Sequence, residues 1–507
     1  MESINPDPIP QDAGFPPAVP TRPFFPSGKW EFLLSLLTLV SGCFLCNSLF
    51  YGGLNLGFSI FCSITLLSAV LYLLVRGCKP TPYSITLLVC SFVIIASFTR
   101  SNDAYVNFVL FCFLLVSTNL GLCLLAGQNR RHPKGVLSLL DVPRTAFVLG
   151  VGKLAPAFYG LKLGLQGSGS AGRKFGAVGL GLLLSVPLLA AVIPLLIKAD
   201  AAFDGLLQNL PDWDRTEVVV SVLFGCLLAC FLYTRNTALC HSPKTAPDEK
   251  TRKGMNPLTV NTVLIAVGIV YLVYLISQLA YFSGGFSGIL PEGYTMAEYA
   301  RRGFFEMAWL CAINLGIIAL AVGLTSPKGT SPILTKLICL FIGLVTLFLV
   351  ISASAKMFLY IDAYGLTRLR VLTEVVMIWL GLATVTVCVW LFVPKLAYMK
   401  VVLVLALVMG AIVGWADVDT VVARYNVNAY LTGDLQTVDV AYLGSLGNGT
   451  TPYLLQLTEV EDPLVYVPAK NHIYLRDNTE AVEDLRDWNY ADYLSDSLLF
   501  PRKENQS

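Results

Sequence analysis

The chain has 507 residues, 55% of them hydrophobic and only 13% charged, with a mean hydropathy of +0.67 and a formal net charge of +2. A soluble domain carries about 25% charged residues, so this composition excludes an ordinary soluble protein and points to a lipid bilayer as the principal partner. No nucleic-acid partner is implied.

Residues 1–29 are rich in proline and lack both the apolar stretch and the cleavage site of a secretory signal. They read as a disordered cytoplasmic tail. Apolar runs long enough to span a bilayer, about 20 residues in a helix, then recur at 30–50, 55–75, 83–98, 104–126, 176–197, 216–234, 257–283, 304–324, 333–353, 371–392 and 401–415. The pattern predicts an all-α polytopic transmembrane bundle of about eleven spans over residues 30–415, with the third and last runs the shortest. Thirteen cysteines sit mainly in these runs, and none follows Cys388. They read as small buried hydrophobes. Cys43 and Cys46 in CFLC have redox-dithiol spacing, but no shuttle pair exists in the C-terminal region, so packing is the simpler role.

Between the fourth and fifth runs, residues 127–175 mix basic residues with Leu, Val, Phe and Tyr. Such a segment suits the cytoplasmic interface against anionic lipid, or a folded connector. Within it, Gly167, Gly169 and Gly172 satisfy GxGxxG, yet a membrane run follows where a nucleotide site needs a strand-to-helix turn. A basic linker is the better reading. Residues 235–256 hold five Lys and Arg with two prolines and read as a second basic cytoplasmic loop, disordered.

Counting Lys and Arg with the N-terminus inside places 21 of the 35 on cytoplasmic segments and 8 on outer ones, with 6 after residue 415. The positive-inside rule then predicts a cell-membrane protein with a cytoplasmic N-terminus and an extracytoplasmic C-terminus. Residues 416–507 carry a charge of −9 against +11 for the rest. Their apolar residues fall at helical spacings, which predicts a small acidic, mostly helical extracytoplasmic domain.

Metal and nucleophile chemistry is poorly supplied. His132, His241 and His472 are scattered, with no HExxH and no GxSxG. No metal and no cofactor is implied.

Two outer segments carry charge at the mouth of apolar runs. In YARRGFFEMAWL, residues 299–310, Arg302 and Glu306 are i and i+4; Arg370 and Glu374 repeat the arrangement in LTRLRVLTEVVMIWL. Each pair reads as an interfacial anchor or as part of an anion site, since free N–H groups at a helix start beside arginines favour negative charge. Arg at a helix start also opposes the macrodipole, so something must hold these side chains. The candidate ligand-binding set is Arg301, Arg302, Glu306, Asp362, Tyr364, Arg368, Arg370 and Glu374, with Lys356 nearby on the same expected outer loop. The expected ligand is an anionic group: a lipid head group, a solute carboxylate or the chain's own acidic tail.

At these residues the chain resembles a family of bacterial multi-pass membrane proteins catalogued as a domain of unknown function. The resemblance rests on a YARxGFFE stretch at Tyr299 to Glu306, an LYIxxYGLTxLR stretch at Leu359 to Arg370 and a VxRYN stretch at Val422 to Asn426. It covers roughly residues 140–470 and implies architecture and a bacterial cell membrane, with no activity attached. Three function classes stay open. A sensory, regulatory or ligand-binding module ranks first. A secondary transporter of a small solute or lipid, with Asn119 and Asn314 as intramembrane polar groups, comes second. A membrane enzyme using Glu306, Asp362 and Glu374 comes third. Protein partners are undetermined.

Overall fold

A backbone inside lipid must satisfy its own hydrogen bonds, and the long apolar runs do so as helices. The computed structural model describes residues 29–100, 103–129, 139, 141–148, 185, 192, 215–241, 255–285, 304–324, 332–477 and 486–499, and no strand occurs among them. The expected tail, the fifth apolar run apart from two residues, the glycine-rich stretch and both Arg301 and Arg302 lie outside the described residues.

Ten apolar helices follow one another: α1 Lys29–Asn47, α2 Leu56–Val75, α3 Pro82–Ser97, α4 Ala104–Ala126, α5 Arg215–His241, α6 Pro257–Gly285, α7 Phe304–Leu324, α8 Pro332–Tyr364, α9 Arg368–Phe392 and α10 Tyr398–Ala416. Among the described residues eight of them are long and apolar enough to cross a membrane, while α3 and α7 contain shorter apolar segments. Capping is local chemistry. Thr81 and Ser84 form a reciprocal capping box at the start of α3, and Asp103 accepts from the N–H groups of Tyr105 and Val106 to start α4.

Two boundaries differ from the sequence reading. The sixth run was expected to end at residue 234 before a basic loop, but α5 continues to His241 and buries Arg235, Asn236 and Thr237 on the way. Residues 354–364, expected as loop, continue α8 to a helix of 33 residues. At 1.5 Å per residue that is about 50 Å, well beyond a hydrocarbon core of about 30 Å. The turn into α9 is only three residues long. Within residues 127–175, Asp141–Pro143 running into Arg144–Val148 packs on α4, and Arg144 Nη1 donates to the Gln128 carbonyl at 3.1 Å.

The bundle has two cores. One gathers Phe58, Leu73, Leu87, Ile94, Leu110, Leu125 and Leu407 from α2, α3, α4 and α10; the other gathers Leu264, Cys311, Ile342, Leu349, Met377 and Leu391 from α6 to α9. Helix α10 packs on α9 as well as on α3 and α4, and so joins them. On the first side α1 and α5 approach closely. A Cβ on Gly225 would fall on the Cys43 backbone, and one on Gly42 would meet the Gly225 carbonyl at 3.1 Å and Ala229 at 3.3 Å. Small residues four apart are what lets membrane helices touch.

After α10 come five shorter helices: α11 Val418–Thr432, α12 Val440–Ser445, α13 Thr451–Leu457, α14 Pro463–Asp477 and α15 Tyr490–Leu499. Their apolar residues Val422, Val427, Leu443, Leu454, Leu457 and Ala469 are continuous with the first bundle core. These helices form a cap seated on one end of the bundle. The Leu56 and Gly57 N–H groups, orphans at the start of α2, donate to the Trp488 and Arg486 carbonyls at 3.1 Å each. Arg486 Nη1 also donates to Asn47 Oδ1 at 2.7 Å and pairs with Glu217, so the last described segment ties α1 to α5.

Candidate functional site

The site is built where the α8–α9 turn meets α11. Gly365 sits at φ +71°, a conformation that disfavours side chains, and a Cβ there would meet Asn426 Oδ1 at 2.5 Å. Only glycine serves both demands. Asn426 then clamps the next residue from both sides: Oδ1 accepts from the Leu366 N–H at 2.6 Å and Nδ2 donates to the Leu366 carbonyl at 2.8 Å. The glycine of one motif stretch and the asparagine of the other are therefore halves of one joint.

Arg368 opens α9 and points into the cap. Its Nε and Nη2 form a fork on Asp419 at 2.8 and 2.6 Å, and Asp103 Oδ2 lies 2.8 Å from Nε. Both carboxylate side chains are only 3% exposed. Asp419 also accepts from the Gly447 N–H at 2.8 Å, and the Arg368 N–H donates to the Tyr442 hydroxyl at 2.8 Å. The Arg368 guanidinium thus joins α9 to α4 and α11, and its backbone N–H adds α12. Its counterions come from the chain itself.

Arg370 turns the other way. Its Nη1 donates to the Tyr364 carbonyl at 3.1 Å and to the Gly365 carbonyl, and its guanidinium stacks 4.1 Å from the Tyr360 ring centre. A cation at the start of α9 would oppose that helix's dipole, but here it closes the carbonyl end of α8, where positive charge is favoured. It makes no ion pair with Glu374. Glu374 is buried, and its Oε2 has no hydrogen-bond partner. Tyr364 and Asp362 are exposed at the end of α8, and Glu306 is exposed near the start of α7. No described hydrogen bond or ion pair links Glu306 to this cluster.

Beside the joint lies a cavity of about 740 Å³, lined by Asp362 and Leu366 from the α8 side and by Val421, Arg424, Tyr425, Asn428, Ala429, Thr432, Asp434 and Leu435 from α11 and the turn after it. Of the sequence-derived set only Asp362 lines it. Arg424 is exposed and has no ion pair among the described residues, whereas Arg368 is paired with two carboxylates and Arg370 donates to backbone carbonyls. The cap around it is electrostatically uneven. Burial pushes the Asp417 carboxyl up from the usual carboxylate range, a hydrogen bond from Thr420 opposes this and the neighbouring Asp419 adds to it. Burial lowers Arg476, whose Nη1 donates to Thr451 Oγ1 at 2.8 Å and whose Nη2 donates to the Leu446 carbonyl at 2.9 Å.

A family model described as a domain of unknown function, DUF4153, matches residues 83–457. The chain belongs to the DUF4153 family. No curated protein and no solved structure matches it. The DUF4153 match runs from α3 through α13, so it contains the Gly365–Asn426 joint, the cavity and both partners of Arg368. It leaves out α1, α2, α14 and α15.

Sequence reasoning missed Asp103, Asp419, Tyr442 and Arg424 as site residues. Asp103 had a signal, since an aspartate directly before an apolar run is an N-cap pattern. It also missed the polar groups inside the DUF4153 bundle, apart from Asn119 and Asn314. Asn314 donates to Thr346 Oγ1 at 3.0 Å and accepts from the Tyr271 hydroxyl at 2.5 Å, while Thr335 donates to Asn261 at 2.7 Å, all buried. Asn119 faces Arg235, which had been placed in a loop.

Proposed function

We propose that the chain is a non-enzymatic ligand-binding membrane module whose outer cavity, between the end of α8 and α11, receives a small ligand with an anionic group. In this reading the N-terminus is cytoplasmic, the cap extracytoplasmic, and the basic segments 127–175 and 235–256 face anionic lipid. The observation that carries it is that the LYIDAYGLTRLR and VARYN stretches meet at one joint and line one cavity of about 740 Å³. A volume of that size suits a small-molecule site. Arg424 supplies the unpaired cation, Tyr425 and Leu366 an apolar wall, and Asp362 and Asp434 a place for a cationic group on the same ligand. Arg368 and Arg370 hold the walls in place, and Arg301 and Arg302 remain a proposed second source of positive charge near Glu306. Ligand binding would shift the joint and thereby the seating of the cap, which is how a sensory module reports occupancy.

The test uses purified full-length protein carrying a fluorophore on Asn428→Cys. Titration with succinate, alanine and short-chain phosphatidylglycerol is expected to give a saturable change with at least one probe, weakened about tenfold or more by Arg424→Ala. Identical responses of both proteins to all three probes would remove the cavity from consideration.

A second reading, a secondary transporter, is favoured by the buried Asn119, Asn314 and Arg235 within the spans, because intramembrane polar groups mark pathways. Flux of the same probes into proteoliposomes separates the two readings.

A further inference from the structure

Arg235 lies within the apolar span Val220–Cys240, five residues before its end, and is 7% exposed. A long side chain on a helix points back toward the helix start, so its charged head sits deeper in the bundle than its backbone. A cation in that position is costly unless a counter-charge meets it. No carboxylate pairs with it among the described residues. Its hydrogen bonds go to amide oxygens and are long: Nη1 to Asn119 Oδ1 at 3.4 Å, Nε to Asn236 Oδ1 at 3.4 Å and Nη2 to the same Oδ1 at 3.2 Å.

The donor count is the decisive chemistry. A guanidinium offers five N–H donors, and among the described residues they meet two oxygens. The Asn236 carbonyl faces the cation, and its own Nδ2, on the same planar amide, is fully buried with no partner. Asn119 spends its Nδ2 on the Leu115 carbonyl at 2.7 Å, so its oxygen is turned to Arg235 by its own helix. The surroundings of Arg235 thus hold surplus donors and a positive charge, with no carboxylate paired to it among the described residues.

We propose that Arg235, with Asn236, forms an intramembrane binding site for a small oxyanion, a carboxylate or a phosphate. Several acceptor oxygens on one anion would satisfy the idle guanidinium N–H groups and the Asn236 Nδ2 together, and the charge-assisted bonds would be shorter than those the amides provide. The site is separate from the outer cavity and does not depend on it.

The test measures occupancy directly on the full-length protein. In one arm, delipidated protein in neutral detergent is dialysed against labelled acetate and labelled inorganic phosphate; in the other, protein in nanodiscs with and without phosphatidylglycerol is examined by native mass spectrometry for retained lipid. One bound anion per chain is expected in one arm, abolished by Arg235→Gln and weakened about tenfold by Asn236→Ala, which removes one hydrogen bond to a charged group. The responding arm identifies the source, free solute or lipid head group. Should Arg235→Gln fail to fold, Asn236→Ala and Asn236→Leu carry the comparison. Absence of stoichiometric binding in both arms, or equal binding by wild type and these variants, overturns the proposal.

Discussion

Replacing Arg368 with alanine leaves Asp103 and Asp419, each only 3% exposed, without their shared cation. Breaking a buried pair by removing one partner costs about 3–5 kcal/mol; because the Arg368 side chain is itself 24% exposed, the lower end, about 3 kcal/mol, is the appropriate figure. That is roughly a hundredfold in the local opening equilibrium. The Gly447 N–H, held by Asp419, reports it, so hydrogen exchange of residues 440–457 in nanodiscs should accelerate by about two orders of magnitude. Asp419→Asn keeps an acceptor for Gly447 and leaves Arg368 beside Asp103, so its cost should be about 1–2 kcal/mol. A triple variant, Arg368→Met with Asp103→Asn and Asp419→Asn, removes all three charges and should recover most of the protection, since neutral replacement of a buried pair is close to neutral in energy. Exchange in Arg368→Ala within threefold of wild type, or a greater effect from Asp419→Asn than from Arg368→Ala, would refute the claim that this cation fastens the cap.

Asn426→Ala removes both bonds to Leu366 and should cost about 2 kcal/mol, read as a lower melting temperature together with loss of the Asn428→Cys probe response. Gly225→Val puts a branched side chain where the Cys43 backbone already lies; the Cys43 and Cys226 thiols, within hydrogen-bonding reach of each other, should then lose their copper-phenanthroline cross-link, measured with the other eleven cysteines replaced by serine. Asp417 gives a pH dependence of known sign. Its folded carboxyl titrates above the unfolded value near 3.9, so the stability it contributes is fully present below that value and is lost as pH rises through the folded pKa. The difference in stability between wild type and Asp417→Asn should therefore shift against wild type as pH rises above about 4, followed by urea unfolding of the cap; the opposite slope would contradict burial as the dominant influence.

Apolar run length made the helices legible, since a span must be continuous and apolar whatever it packs against. Ten of the eleven expected runs fall on α1 to α10, and the fifth lies almost wholly outside the described residues. The errors occurred where a helix outlasts its apolar stretch. RNTAL reads as the start of a loop because it opens with polar side chains, yet Arg235 to Leu239 are buried, with their helix packed on α2 and α4, rather than solvated. The same reasoning ended α8 eleven residues early. At the site, helical spacing suggested a partner four residues away for Arg370, while its actual contacts are the last carbonyls of the preceding helix. The partners of Arg368 lie 51 and 265 positions away in the chain, distances at which no periodicity operates. Only the three-dimensional meeting of α4, α9 and α11 reveals them.

The overhang of α8 has a mechanical consequence. Cys339, Ile342, Leu349 and Ala353 root this helix in the second core, and its final eleven residues run about 16 Å farther toward Gly365 with Met357 and Ile361 still packed in that core. A tilt of about 10° of α8 together with the helices it packs on would carry its tip sideways relative to Ala353 by roughly 3 Å, enough to widen or pinch the recess holding Asp362 and Arg424. Rotation among α6 to α9 is thereby geared into translation at the rim, and bilayer thickness or tension, by changing helix tilt, gains leverage over the mouth of the cavity.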